Sequence, residues 1–221
     1  MRYLIILLLL LPNIPIQHQD SYEEKIDLLI ITPKQFKDEL KEFAEYKTKN
    51  GIETKVLSLE DDIYVHKYFP VEGRDEQEII KYFIKNAKER WNIDYVLLIG
   101  DSDVFPVRYA YIDEDYYPTD LYYGDIYSHG DFSTWDKNGN SKFGEWLGAN
   151  GEGELYPEIA VSRLPVGNLD ELRTIVKKII EYETNTDKEW FYNFVIGATD
   201  TFQSSDTLSE PYEGEELGNY I

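Results

Sequence analysis

The chain has 221 residues, with 43 Asp and Glu against 22 Lys and Arg and a formal net charge of −21. That length accommodates one large domain or two small ones, and a content of 42% hydrophobic and 15% aromatic residues suffices for a buried core. The acidic balance argues against a nucleic-acid or anionic-membrane binder, and zero cysteines exclude disulfides, Cys-ligated metals and a thiol nucleophile within these residues.

Residues 1–20 read as a secretory signal peptide. Arg2 precedes eight consecutive apolar residues, Leu4 to Leu11, which Pro12 and Pro15 bring to an end. The run falls short of the ~20 residues a membrane-crossing helix needs, and no longer apolar stretch follows. The expected protein is secreted and has no stable transmembrane anchor in this chain.

Beyond the leader, strands and helices alternate. Residues 26–31 (Ile-Asp-Leu-Leu-Ile-Ile) form a nearly continuous apolar run, as expected of a strand covered on both faces. Thr32 is expected to cap a helix with Pro33 at its first position, Phe36, Leu40 and Phe43 along its apolar stripe, and Gly51 as its stop. Residues 52–59 alternate like a second strand. Asp75 then caps a helix striped by Ile79, Ile80, Phe83, Ile84 and Ala87, and residues 95–99 form a third buried strand ending at Gly100-Asp101. Short connections between such elements predict right-handed crossovers and a parallel sheet.

Between residues 101 and 160 there are 13 acidic residues against three basic ones, and from 101 to 158 the periodicity disappears. Order returns with a strand at 158–164, a helix capped by Asn168 and running through Thr184, a strand at 191–198, and the opening of a helix at Pro211. That last helix has nothing in these residues to dock against, so the α/β unit reads as truncated at its C-terminus.

Three motifs could carry chemistry. In Asp136-Lys-Asn138-Gly-Asn140-Ser-Lys-Phe-Gly-Glu145, the oxygens of Asp136, Asn138 and Asn140 alternate across a turn and can converge with Glu145 on one hard cation, as in the first half of an EF-hand-type calcium loop. The motif departs from that pattern at its twelfth position, which is Leu147, and an Asn-Gly surface turn accounts for many of the same residues. Asp101-Ser102-Asp103 follows a buried strand, where open α/β sheets place ligands; a magnesium-dependent phosphohydrolase is one reading, and structural capping of the turn is the other. His66 lies in a mixed polar stretch and reads as a surface residue, and His18 lies at the leader boundary.

Taken in order, several segments resemble gingipain-like cysteine peptidases. They are Leu28-Leu-Ile-Ile-Thr-Pro33, Phe43-Ala-Glu-Tyr-Lys47 and Tyr95-Val-Leu-Leu-Ile-Gly100-Asp101 with Phe105-Pro-Val107, followed by Pro118-Thr-Asp-Leu-Tyr-Tyr123 and Val161-Ser-Arg-Leu-Pro-Val166, which leads into the helix from Asp170. The resemblance covers residues 24–200. It implies a caspase-like three-layer α/β/α unit, mainly parallel, with residues 24–165 as a first subdomain carrying the acidic insertion 101–158 and residues 166–221 opening a second, catalytic one. It also implies secretion, protein or peptide substrates, bound calcium, and a Cys–His endopeptidase mechanism. The family's catalytic His-Gly pair and catalytic Cys fall after the segment matching residues 191–200. His129-Gly130 lies too early for that role, and no cysteine is present, so no catalytic residue is expected among these 221. A reading from another class is a non-catalytic, calcium-dependent extracellular module, in which the acidic Tyr/Trp-rich stretch from Tyr109 to Trp146 presents aromatic platforms to peptides or glycans.

Overall fold

A computed structural model describes residues 25–145, 152–153, 156–185 and 189–197. The expected signal peptide and the helix opening at Pro211 lie outside the described residues. The chain divides into two compact units, residues 1–173 and 174–221.

The first unit is built on four parallel strands, β1 (Leu28–Thr32), β2 (Thr54–Ser58), β3 (Tyr95–Ile99) and β8 (Ala160–Leu164), in the order β2-β1-β3-β8. Central β1 is buried along its whole length, which is why its sequence is apolar throughout and does not alternate. Helix α1 (Lys41–Lys49) connects β1 to β2, and α2 (Glu76–Trp91) connects β2 to β3. The first crossover moves one way along the sheet and the second moves the other way. Right-handed connections therefore put the two helices on opposite faces. Leu29, Ile31, Leu57, Val96 and Leu98 pack with Ile80, Phe83, Ile84 and Ala87 of α2 in one core. Leu28 and Ile30, on the opposite face of β1, are buried as well, as are Phe36, Leu40 and Phe43 on the connection to β2. The result is a three-layer α/β/α unit around a mainly parallel sheet.

Helix α2 forms where its cap predicts: the Asp75 carboxylate accepts from the Glu78 N–H at 2.9 Å, and Asn92 closes the helix in the left-handed region. The first helix departs from expectation. Thr32 turns its hydroxyl onto the Pro33 carbonyl (3.2 Å) and caps nothing; the chain passes through two 3₁₀ turns, Lys34–Phe36 and Asp38–Leu40, before α1 begins. Pro33 is extended (ψ 146°), so the helix cannot start there.

Among its described residues, the aperiodic stretch forms regular local structure. It contains an antiparallel hairpin, β4 (Arg108–Ile112) with β5 (Asp115–Thr119), a short helix α3 (Leu121–Gly124), and a small hairpin, β6 (Tyr127–Ser128) with β7 (Asp131–Phe132). Tyr122, Tyr123, Ile126 and Trp135 are fully buried against α2 and the sheet, so part of the aromatic content of this stretch is core, while Tyr109, Tyr116 and Tyr117 are exposed.

Helix α4 (Leu169–Thr184) starts at the expected cap, with Asn168 Oδ1 accepting from Asp170 and Glu171 N–H (3.1 and 3.0 Å), and Leu172 is buried. In the second unit, one 3₁₀ turn, Glu189–Tyr192, stacks Phe191 near Tyr182 at 5.8 Å. The strand expected at 191–198 does not form among the described residues. Phe194 and Val195 are 91% and 92% exposed, and a strand needs a neighbouring ladder that no described residue supplies.

Candidate functional site

Ligands of open α/β sheets bind outside the carboxyl ends of the strands, where the strand order reverses. In this sheet the reversal lies between β1 and β3, at Thr32-Pro33 and Gly100-Asp101. An open depression of about 680 Å³ is found here, lined by Pro33, Lys34, Lys37, Glu60, Asp61 and Val104. Its charges are largely matched. Lys34 Nζ lies 3.0 Å from Asp61, and its backbone N–H donates to Glu60 at 2.7 Å. Asp62 is fully buried beneath the rim, where a single π turn (Leu59–Ile63) delivers it to Lys37, to Lys67 (2.7 Å) and to the N–H and hydroxyl of Ser58. Burial pushes its pKa up, but those donors outweigh burial and hold it at about 2.

Asp101 serves its own turn. Its Oδ1 accepts from the Asp103 N–H at 3.0 Å, and its carbonyl accepts from Phe105 at 2.9 Å. Gly100 (φ +127°) must be glycine at that corner, since a Cβ would stand 2.8 Å from Val104 and 2.9 Å from Phe105. This is the geometry of the capping reading of Asp101-Ser102-Asp103.

Three of the segments that carried the resemblance meet at one side chain. Arg163 on β8 donates through Nε and Nη2 to both oxygens of Asp120 (2.8 and 2.7 Å), through Nη1 to the Gly100 carbonyl (2.8 Å) and through Nη2 to the Pro106 carbonyl (3.3 Å). Its guanidinium also lies 5.0 Å from the Phe105 ring centre. The chain after β3, the end of the β4–β5 hairpin and the edge strand are therefore fastened together at the carboxyl end of the sheet.

A second anchor holds the acidic loop. Arg108 forms a bidentate pair with Asp75 (2.9 and 2.7 Å) and stacks 3.7 Å from the Phe143 ring centre. Beside it Lys81 is fully buried, 4.3 Å from the Tyr122 ring centre and 5.7 Å from those of Phe132 and Trp135, and its Nζ has no hydrogen-bond partner among the described residues. Burial lowers its pKa, Asp125 opposes that shift and Arg108 adds to it, and the amine falls to about 7. Sequence reading did not single out Lys81. Its only signal is a charged residue directly beside the apolar stripe of α2.

Of the four expected metal ligands, three come together. The amides of Asn138 and Asn140 donate to one oxygen of Glu145 (3.0 and 2.8 Å). Asp136 is buried and turned to Arg74, with its other oxygen accepting from Ser141 N–H at 3.2 Å. A residue the sequence did not suggest joins them. Glu152 Oε1 accepts from the Lys137 and Asn138 N–H groups (3.0 and 3.3 Å), while its Oε2 is buried with no hydrogen-bond partner among the described residues. Burial raises its pKa. Among the described residues no three acidic or His side chains are already grouped as a metal site.

His129 and Gly130 (φ 54° and 89°) are the exposed two-residue turn between β6 and β7, with Ser128 Oγ 3.0 Å from His129 Nδ1. His66 accepts from the Val71 N–H through Nδ1 at 3.3 Å. No helix among the described residues is long and apolar enough to cross a membrane.

Comparison with known proteins places these features. The family model described as Peptidase family C25 matches residues 21–220. Gingipain R2 from Porphyromonas gingivalis is 24% identical over 165 residues, a region covering 74% of this chain and 18% of that protein; Gingipain R1 from the same organism is equally similar over 74% and 13%. The chain thus spans under a fifth of the length of the curated relatives it matches. In structure it is similar to the Arg-specific cysteine proteinase gingipain R (TM-score 0.50, 21% identity, 74% of this chain and 29% of that one). It is also similar to latent PorU from Porphyromonas gingivalis (TM-score 0.51, 20% identity, 76% and 16%).

Proposed function

The chain belongs to peptidase family C25, and from that premise we propose that it is the amino-terminal portion of the catalytic unit of a secreted, gingipain-like cysteine endopeptidase. Hydrolysis in such an enzyme runs through a Cys–His dyad. The thiolate attacks the scissile carbonyl carbon, the imidazole protonates the leaving amine, backbone N–H groups hold the oxyanion, and water then releases the acyl group from sulfur.

One observation carries this reading: the family match runs across residues 21–220, yet these 221 residues contain no cysteine. His129 sits on the exposed turn of the small β6–β7 hairpin and not at the end of a strand of the central parallel sheet. On this reading the thiol and the imidazole lie outside these 221 residues, and the chain alone does not hydrolyse peptides. Its own contribution is the framework, in which Arg163 and Asp120 fasten the carboxyl end of the sheet.

The same reading includes calcium in the loop of Asp136, Asn138, Asn140, Glu145 and Glu152. The donor chemistry fits a hard cation, because all five side chains carry oxygen and Glu152 Oε2 is buried without a partner among the described residues. Bound there, calcium would supply a cross-link between the turn at residues 136–145 and Glu152.

The test is an assay of the purified chain on unfolded casein with calcium and reductant, together with the reading frame after the Ile221 codon. The expectation is no cleavage above blank, and a frame that continues into a strand ending in His-Gly and a later strand followed by Cys. Cleavage by the 221-residue chain that an epoxysuccinyl inhibitor of cysteine peptidases abolishes would overturn the reading.

A further inference from the structure

One face of the β4–β5 hairpin is turned in at Ala110, although Tyr117 opposite it is 51% exposed, and the other face is turned out. Ala110 is buried near Gly144 and Trp135, and the Tyr111 N–H donates to the Phe143 carbonyl at 2.8 Å, so the hairpin is pinned to the loop behind it. The cross-strand register pairs Tyr109 with Pro118 and Tyr111 with Tyr116, which places these four residues on the same face. Tyr109 is 46% exposed and Tyr116 55%, and the Tyr111 and Tyr116 rings lie 5.1 Å apart at 60°. Phenol rings held on a rigid ladder offer contact area at little entropic cost, the property that makes tyrosine common in recognition surfaces.

Two further observations select the partner. Lys142 Nζ lies 4.2 Å from the Tyr111 ring centre, so this face already accepts a cation supplied by the chain itself. At the tip, Asp113, Glu114 and Asp115 are exposed, and none makes an ion pair among the described residues. Asp113 and Glu114 (φ 51° and 70°) form a two-residue turn of the type that favours Asn and Gly, so the carboxylates occupy it at a conformational cost. A neutral glycan could stack on the rings but would gain nothing from three adjacent carboxylates.

We propose that the outer face of the β4–β5 hairpin is a docking surface for an extended cationic peptide segment, whose Arg or Lys side chains lie over Tyr109 and Tyr116 and reach the carboxylates of Asp113 and Glu114 at the tip, with Asp115 on the opposite face adding to the negative potential there. Tyr109 and Tyr116 are diagonal neighbours across the ladder, a relationship that sets positions about 7 Å apart and matches basic side chains at alternate positions of an extended ligand crossing the hairpin. The inference does not depend on the endopeptidase reading, since the surface is complete without a catalytic dyad.

The test is titration calorimetry of the full chain with the peptides (Arg-Gly)4, (Ser-Gly)4 and (Glu-Gly)4 and with a neutral glucan oligosaccharide. (Arg-Gly)4 is expected to bind, and to bind less well when sodium chloride is raised from about 50 to about 300 mM. Tyr109→Ser/Tyr116→Ser leaves the charge unchanged and is expected to weaken binding at least tenfold, as is Asp113→Asn/Glu114→Gln/Asp115→Asn. The triple variant Glu42→Gln/Glu45→Gln/Glu53→Gln removes the same charge elsewhere and is expected to stay within twofold; unchanged melting temperatures show that each variant is folded. The proposal is overturned if the Tyr variant binds as the parent does, if the two triple variants weaken binding equally, or if the serine peptide or the glucan binds as tightly as (Arg-Gly)4.

Discussion

Arg163 and Asp120 are 43 positions apart in sequence and meet in a bidentate pair, with Nε and Nη2 at 2.8 and 2.7 Å from the two carboxylate oxygens. The guanidinium's remaining Nη1 donor goes to the Gly100 carbonyl, and the side chain is only 11% exposed. A planar fork is required, because a single ammonium cannot serve two carboxylate oxygens and a carbonyl on separate axes. Arg163→Met leaves Asp120 without its counter-charge and is expected to destabilise the fold by about 3 kcal/mol. Arg163→Lys should recover no more than half of that. Urea unfolding followed by circular dichroism checks both, and equal midpoints for Arg163→Lys and the parent would show that the fork does not matter.

Gly124 closes α3 where the chain touches the start of the edge strand. A Cβ there would stand 2.6 Å from the Ile159 carbonyl oxygen, a backbone atom that cannot swing aside. Gly124→Ala is therefore expected to cost more than 2 kcal/mol by forcing α3 and the residues before β8 apart. Gly139 gives the comparison. Its φ is +74° with nothing within 4 Å of a Cβ, so Gly139→Ala should cost only about 1 kcal/mol of backbone strain. Thermal melts of the two variants separate steric clash from strain, and equal losses would refute the distinction.

Lys81 makes stability depend on pH in a direction that can be worked out. The unfolded amine titrates near its usual 10.5, and in the fold burial lowers it to about 7. Between those values the unfolded chain binds a proton that the folded chain does not. Stability from this group therefore rises with pH through the window and is at its lowest below pH 7. At about 1.4 kcal/mol per unit, the whole window amounts to about 5 kcal/mol. The charged groups facing the amine are Asp125, Arg108, Glu158 and Glu78, of which only Arg108 shares the sign of a protonated lysine. Lys81→Met should lose the slope, so its melting temperature relative to the parent should fall as pH is raised from 7 to 9. A constant difference would mean that Lys81 keeps an ordinary pKa. Asp62 acts at the other end of the scale. Its folded pKa of about 2 lies below the usual 3.8, so its contribution is present above pH 4 and is lost as pH falls through 2.

The sheet and the α2 crossover were legible because local and tertiary signals agree there: Asp75 caps, the stripe from Ile80 to Ala87 is buried, and residues 95–99 form β3 as read. The hairpin β4–β5 was not legible. Its turn, Asp113-Glu114, lacks the Gly or Asn that announces a positive-φ turn, and its strands are held by the loop behind them. The Arg163 clamp was visible only as segments in a familiar order; its geometry depends on folding that brings Gly100, Pro106 and Asp120 to one guanidinium. Lys81 and Glu152 are long-range consequences of burial; Lys81 is marked only by its place beside the apolar stripe of α2, and nothing adjacent in sequence marks Glu152.

Calcium in the acidic loop supplies the last prediction. Glu152 Oε2 is buried without a hydrogen bond among the described residues, and burial raises the pKa of the group, so an added cation would supply a partner and keep the carboxylate ionised. Adding calcium at about ten times its dissociation constant should stabilise the fold by about 1.4 kcal/mol, and excess chelator should reverse the effect. Glu152→Gln should remove most of the calcium increment in melting temperature while leaving the calcium-free value close to the parent's, since Lys137 and Asn138 N–H can still bond the amide oxygen. Glu145→Gln should weaken the response as well, because Glu145 is where the Asn138 and Asn140 side chains meet. Millimolar magnesium should do little, as a compact octahedral ion holds its water more tightly than a loop of mixed amides and carboxylates can replace it. A melting temperature indifferent to calcium in the parent chain would remove the ion from this loop and leave Arg74 and Asp136 as the pair that orders it.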